Sequence, residues 1–308
     1  MSRSFLRRRM IQAVIVLIGA SMLAFIVLRL IPGDPALLML RENAPQEEID
    51  ATRAAMGLDR PLVVQYIDFM KKMAVGDFGV SLRRGIPVSR LIREHLPATV
   101  LLAFSALGIA LVISIPLGLV AGIRHNSTFD YATSVVTLLG QSMPSFWLGM
   151  MLILVFSVNL RLLPTSGTGS LKHLILPSVT LAVYHLALTT RLMRSSVLEV
   201  AREDYVRTAR AKGLGESKVL YNHIFRNAVI PTITMVGLDL GNLLGGAIIT
   251  ESLFSWPGIG FLTVQAITFR DYPVVQGLVF LSAVTFVVIN LLVDILLSLV
   301  DPRIDITS

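Results

Sequence analysis

The chain has 308 residues, 54% of them hydrophobic and only 15% charged, with a mean hydropathy of +0.73. That balance excludes an ordinary soluble domain and indicates a polytopic membrane protein, so the net charge of +7 belongs to basic loops rather than to a nucleic-acid surface. With no cysteine present, disulfides, thiol catalysis and Cys-ligated metals are excluded.

In chain order, Arg7-Arg8-Arg9 precede a first apolar run, Met10–Leu30. Its 19 uncharged residues from 10 to 28 exceed the h-region of a signal peptide, which favours a retained span. Segment 31–96 is polar but carries helix punctuation. Pro45 opens a helix through Met56 with Gly57 as its stop, and Pro61 opens a second, Leu62–Ala74. After Pro87, Val88–His95 reads as an amphipathic stretch along the membrane interface, ahead of a second span at Pro97–Ile123. Further spans are expected at Tyr131–Leu160, Leu174–Thr190, Val229–Thr250 and Pro273–Val300. A bilayer needs about 20 residues of helix, and no barrel-like alternation occurs, so six transmembrane helices are expected.

Small-residue stripes, Gly118/Gly122 and Gly237/Gly241/Gly245, predict close helix packing. Asp239 lies about 200° around its helix from Gly237 and should face away from that seam. As ionisable groups within spans, Asp239 and Asp294 are candidate pathway or pairing residues. His185, in the shortest span, reads as a partner for another helix. Asp239, Gln141, Ser142 and Trp147 are the candidate pathway-lining side chains.

Lys and Arg set the orientation. The N-terminus, the 124–130 loop, the 191–228 loop and the C-terminus carry fourteen, whereas the two short opposite loops carry three, Arg161, Lys172 and Arg270. The positive-inside bias puts both termini and 191–228 in the cytoplasm and the 31–96 loop outside. No P-loop, H-E-x-x-H or G-x-S-x-G motif occurs, and the five histidines show no metal spacing. No catalytic, cofactor or metal site is expected in the chain.

Loop 191–228 holds eight Lys/Arg against four Asp/Glu. Leu198, Ala201, Tyr205 and Ala209 recur at helical spacing as one apolar face, and Glu203 and Arg207 form an i,i+4 pair. Gly213-Leu214-Gly215 stops this helix, and a second runs from Glu216 to about Phe225. The apolar face suits either anionic lipid or a groove in a protein partner, the glycine turn inclining towards the partner.

Motifs along almost the whole chain carry a resemblance. TARAKGL (208–214) and RNAVIP (226–231) stand beside Ile31-Pro32-Gly33-Asp34-Pro35, GLDRPLVVQY (57–66) and GDFGVSLR (76–83). PSFWLG (144–149), LLPTSG (162–167), ESLFSWPGIG (251–260), RDYPVVQG (270–277) and NLLVDIL…DPR (290–303) complete the set. The chain resembles the B-type permeases of dipeptide, oligopeptide, nickel or glutathione ABC importers. The 191–228 loop is similar to the EAA motif of such permeases, with Arg207-Thr208-Ala209 at the Glu-Ala-Ala position.

The resemblance implies an all-α integral-membrane, type I ABC importer permease fold with a helical extracytoplasmic loop after the first span. The division would be 1–94 (first helix and external loop), 95–300 (permease domain) and 301–308 (cytoplasmic tail). Implied partners are a homologous second permease, two ABC ATPase subunits, an extracytoplasmic substrate-binding protein and membrane lipid, in a bacterial inner membrane. Coupling to the ATPases would fall to Glu203, Asp204, Tyr205, Arg207, Thr208, Ala209, Lys212, Gly213 and Leu214. The expected cargo is a small peptide, with a nickel complex, glutathione or a sugar as alternatives. A secondary transporter working without ATPases is the rival from another class, which inverted repeats and more buried charges would favour. A membrane-anchored signalling or scaffold protein is a weaker rival.

Overall fold

A computed structural model describes residues 3–30, 45–57 and 59–300. Ile31-Pro32-Gly33-Asp34-Pro35 and the 301–308 tail lie outside the described residues. Among the described residues the chain is helical, with one isolated β-bridge, Val80 to Pro87.

The proline punctuation works as the sequence implies. α1 (Arg3–Leu30) is followed by α2 (Gln46–Met56), entered from Pro45 and closed by Gly57 at φ 68°, and by α3 (Leu62–Ala74), entered from Pro61. The apolar face of α3 lies on α1, where Phe25, Phe69 and Met73 share a core. Phe25 and Tyr66 meet edge-on at 5.3 Å between centroids, and the Tyr66 hydroxyl is 2.8 Å from Ser21 Oγ. Segment 62–74 is thereby tied to α1.

Four predicted boundaries are corrected. The expected interfacial stretch at Val88–His95 is instead the first part of α4 (Val88–Ile123), which runs unbroken through Pro97 and Pro116. Its apolar face does not rest on lipid: Val88, Leu91 and Ile92 are buried against Ile259, Leu262, Val274 and Leu278.

The expected single span Tyr131–Leu160 is two helices, α5 (Thr128–Ser142) and α6 (Ser145–Leu152), the latter continuing as π-helical turns over Ile153–Asn159. They bend by 100° at Met143-Pro144. Met143 is held extended, at φ −77° and ψ 125°, as a residue before proline prefers.

The helix of the fourth span does not end at Thr190. α7 (Leu171–Val200) carries on through Arg191 and Arg194 as one helix. After it come α8 (Asp204–Ala211) and α9 (Glu216–Val219), the latter extended by π-helical Leu220–Phe225 and a last α-turn, Arg226–Ala228.

The fifth span is also shorter than expected. α10 (Ile230–Leu244) stops at Gly245-Gly246, where Gly246 has φ 108°, and the chain restarts as α11 (Ile248–Leu253). Then follow α12 (Ile259–Thr268) and α13 (Tyr272–Val300).

Three helices, α4, α7 and α13, are individually long and apolar enough to cross a bilayer. The α5–α6 pair and the α9–α10 pair, the latter bent by 42°, pass the same test as broken spans, and α1 holds the apolar stretch Met10–Ile26. The glycine stripes are the seams of the bundle. A Cβ on Gly118 or Gly122 would collide with Met193 or Val197 of α7, and one on Gly237 with Val293 of α13. α4 therefore packs hard on α7, and α10 on α13.

Candidate functional site

The loop after α7 is a small folded elbow. Val206 and Ala209 of α8 are buried with Met193 and Val197 of α7 and with Val219, Ile224 and Ala228 of the following helix. Of the predicted apolar face, Ala209 is thus taken up by the chain's own helices and Ala201 packs at the edge of the same core. The face is also rotated from the expected one: Tyr205 is 44% exposed and Val206 takes the inner position. The break at Ala201-Arg202-Glu203 shifts the helical phase, so a pattern read continuously from Leu198 misplaces Tyr205.

The glycine turn is a Schellman close. Gly213, at φ 77°, donates its N–H to the Arg210 carbonyl at 2.9 Å, and Leu214 donates to that of Ala209 at 3.4 Å. Half-buried Leu214 packs on the elbow core, and the Arg210 guanidinium bonds Glu216 at 2.9 Å across the turn. Arg207 pairs with Asp204 at 3.3 Å and not with Glu203, which sits before the helix with extended backbone. Of the nine predicted coupling residues, Ala209 and Leu214 face inwards, while Glu203, Asp204, Tyr205, Arg207, Thr208, Lys212 and Gly213 form one exposed face.

Sequence reasoning missed what anchors the elbow. Asp130, 1% exposed at the start of α5, accepts from Arg194 of α7 at Nη2 (2.8 Å) and at Nε. His125 Nδ1 stands 3.3 Å from the same carboxylate, and the Asn126 N–H donates to it at 3.0 Å. This two-point pair clamps the α4–α5 turn to α7 six residues before that helix ends. The signals in the sequence are Arg191 and Arg194 at the end of an apolar run and Asp130 just after the Ser127 N-cap, 64 residues from Arg194.

A cavity of about 390 Å³ lies at the α5–α6 bend against α7. Gln141, Ser142, Pro144, Tyr184 and His185 contribute to its wall, so two of the four predicted pathway residues meet there. Trp147 is 43% exposed on α6 outside the lining. Asp239 is 4% exposed and does not reach the cavity. It faces away from the Gly237 seam, as expected, and its Oδ2 stands 2.9 Å from His185 Nδ1, off the line of a hydrogen bond. Asp294 is half-buried on α13.

At another corner, Glu251 is fully buried and accepts from the Thr99 hydroxyl and the Phe261 N–H, each at 2.9 Å. Burial pushes its carboxyl above the usual range, and these donors pull it back down. Asp271, likewise buried, accepts from the Ser81 hydroxyl at 2.5 Å and the Leu82 N–H at 3.1 Å. It fixes the 77–87 loop to the corner between α12 and α13. Among the described residues no group of three His, Asp or Glu is placed to hold a metal ion.

The helical bundle recurs in solved transporters. An inward-facing structure of the MetNI methionine ABC transporter matches with a TM-score of 0.58 at 18% identity, over 68% of this chain and 96% of that one. An amino acid ABC transporter crystallised with histidines matches at 0.53 and 16% identity, over 70% and 95%. The fold is therefore that of an integral-membrane type I ABC permease.

The family model described as "Binding-protein-dependent transport system inner membrane component" matches residues 114–306, and its N-terminal companion matches residues 1–103. The dipeptide transport system permease protein DppB of Alkalihalophilus pseudofirmus is 42% identical, over 98% of this chain and 99% of its own length. The oligopeptide transport system permease protein AppB of Bacillus subtilis is 41% identical over 98% and 99%, and DppB of Escherichia coli K12 is 40% identical over 97% and 98%. The chain belongs to the binding-protein-dependent transport system inner membrane components, grouping with the dipeptide and oligopeptide permeases. It is a multi-pass inner-membrane protein.

Proposed function

We propose that this chain is the permease subunit of an ATP-driven importer that carries small peptides across the cytoplasmic membrane by alternating access. End-to-end similarity to peptide permeases carries the reading. On it, α1, α4, α5–α6, α7, α10 and α13 are six spans, with both termini and the elbow of α8 and α9 in the cytoplasm. Residues 1–94 supply the first span and an external loop, 95–300 the permease domain and 301–308 a short tail. A homologous permease, two ABC ATPases and an external substrate-binding protein complete the machine, and ATP is hydrolysed by the ATPases.

The exposed face from Glu203 to Gly213 is the docking face for an ATPase. A rigid elbow suits force transfer, because it is packed on α7 and clamped through Arg194 to α5. ATP-driven closure of the ATPases moves the elbow, and α7 with it, provided that the ATPases bind one state of the permease better than the other. Gly213 has open space around its missing Cβ, so substitution strains only the backbone. A β-branched residue in that left-handed conformation costs about 1–2 kcal/mol and disfavours the Schellman close. Gly213→Val is expected to lower both peptide uptake and stimulated ATP hydrolysis while permease levels in the membrane hold. Fully coupled uptake by this variant would refute the elbow's role. Uptake of nickel or a sugar in place of peptide by the wild-type complex would refute the cargo.

A further inference from the structure

The cavity at the Met143-Pro144 break carries chemistry that discriminates between the two ends of a peptide, an inference that rests on the peptide-import reading. Its size, about 390 Å³, is at the small end of ligand pockets, which run from about 300 to 1,000 Å³. Three ionisable groups are arranged around it. Arg191, exposed on α7, donates from its guanidinium to the Gln141 side-chain oxygen on the cavity wall. His185, six residues and about 1.7 turns earlier on the same helix, forms part of the wall itself. Asp239 stands behind His185, with its side chain 6% exposed, so the imidazole lies between that carboxyl group and the cavity.

The accessible charge at this cavity is therefore positive. At the mouth of a cleft such a charge attracts an anionic group. A guanidinium presents paired donors that match both oxygens of a carboxylate and meets its opposite charge, whereas a neutral amide oxygen offers one acceptor and no charge. The Gln141 oxygen sits where one carboxylate oxygen would bind, as a weaker neutral stand-in. We propose that this cavity is a transit site for the terminal carboxylate of the peptide, held by Arg191 after it leaves Gln141, with His185 forming the inner wall. Gln141 competes with the cargo and so keeps the site from holding it too tightly to release.

The test compares uptake of a dipeptide with uptake of the same dipeptide as its C-terminal amide, using the complete transporter with its binding protein. Wild-type and variant permeases receive cargo from the same binding protein, so a change in the acid-to-amide uptake ratio arises in the permease. Arg191→Gln is expected to lower that ratio about tenfold, as loss of one charge-assisted pair implies. Arg191→Lys should retain part of the preference, because the charge stays and the paired geometry goes. Gln141→Leu should raise the ratio, since the competing oxygen is gone.

A ratio unchanged in Arg191→Gln overturns the site, whatever happens to total uptake. If that variant does not accumulate in the membrane, Gln141→Leu decides, and a ratio that fails to rise overturns the site. A wild-type complex that imports neither form refutes the peptide reading itself, which is a different result from uptake with an unaltered ratio.

Discussion

Glu251 stands at the meeting of three elements: its own α11, the Thr99 turn of α4 and the first residues of α12. Gly258 and Gly260 leave room for its carboxylate, since a Cβ at either would meet Oε2. Thr99 in turn accepts the Ile259 N–H at 2.7 Å, and Trp256 donates to the Ala98 carbonyl at 2.8 Å. ESLFSWPGIG was legible as a family signature, but the reason for its glutamate was not, because its donors lie 10 and 152 residues away.

Because burial raises the Glu251 carboxyl above its ordinary 4.5, the folded state holds its proton to a higher pH than the unfolded chain does. Its contribution to stability is therefore fully present below about pH 4.5 and is lost as the pH rises through the folded value. The melting temperature of the purified permease complex, wild type minus Glu251→Gln, should fall as pH rises from 4.5 to 8. A difference that stays flat across this range would contradict the assignment.

At the scale of elements, the glycine seams show sequence pattern turning directly into packing. The stripe on α10 was readable from spacing alone, and it meets Val293, Phe286 and Ile289 of α13. Gly237→Ala is expected to cost about 1–3 kcal/mol through overpacking. Val293→Ala should recover part of that loss, and thermal melting of the double variant checks it: strict additivity of the two losses would mean that the residues do not touch. The α5–α6 bend and the α7 extension were not legible. Hydropathy sees both halves of a bent pair as one apolar run, and it sees a helix leaving the bilayer as a loop once arginines appear. The proline at 144 was in view. Whether a proline breaks a helix depends on its neighbours, since α4 passes through Pro97 and Pro116 unbroken.

At the scale of the molecule, α3 caps α1, joined to it by the Ser21–Tyr66 contact and the Phe25 cluster, with α2 preceding it in the same segment. On the importer reading this cap contacts the binding protein or roofs the cavity. Removal of residues 46–74 should then abolish peptide uptake by at least about tenfold, while the rest of the permease still co-purifies with its ATPases. Wild-type uptake after that deletion would remove the cap from the mechanism. Co-purification of ATPase subunits in fixed ratio with the intact permease also separates an importer from a secondary transporter.

The sequence by itself determined the membrane class, the proline-opened helices α2 and α3, the glycine seams and the glycine-closed elbow. Each follows from local backbone preference or from a periodicity along one helix. Only the tertiary structure decided that Val206 and Ala209 of the elbow turn inwards, that Asp130 and Arg194 clamp it, and that Gln141 and His185 line one cavity with Arg191 bonded to Gln141 at its edge. Those facts depend on which distant helices meet and on how a single break rotates a face. Desolvation and charge pairing then act between residues that no local pattern connects.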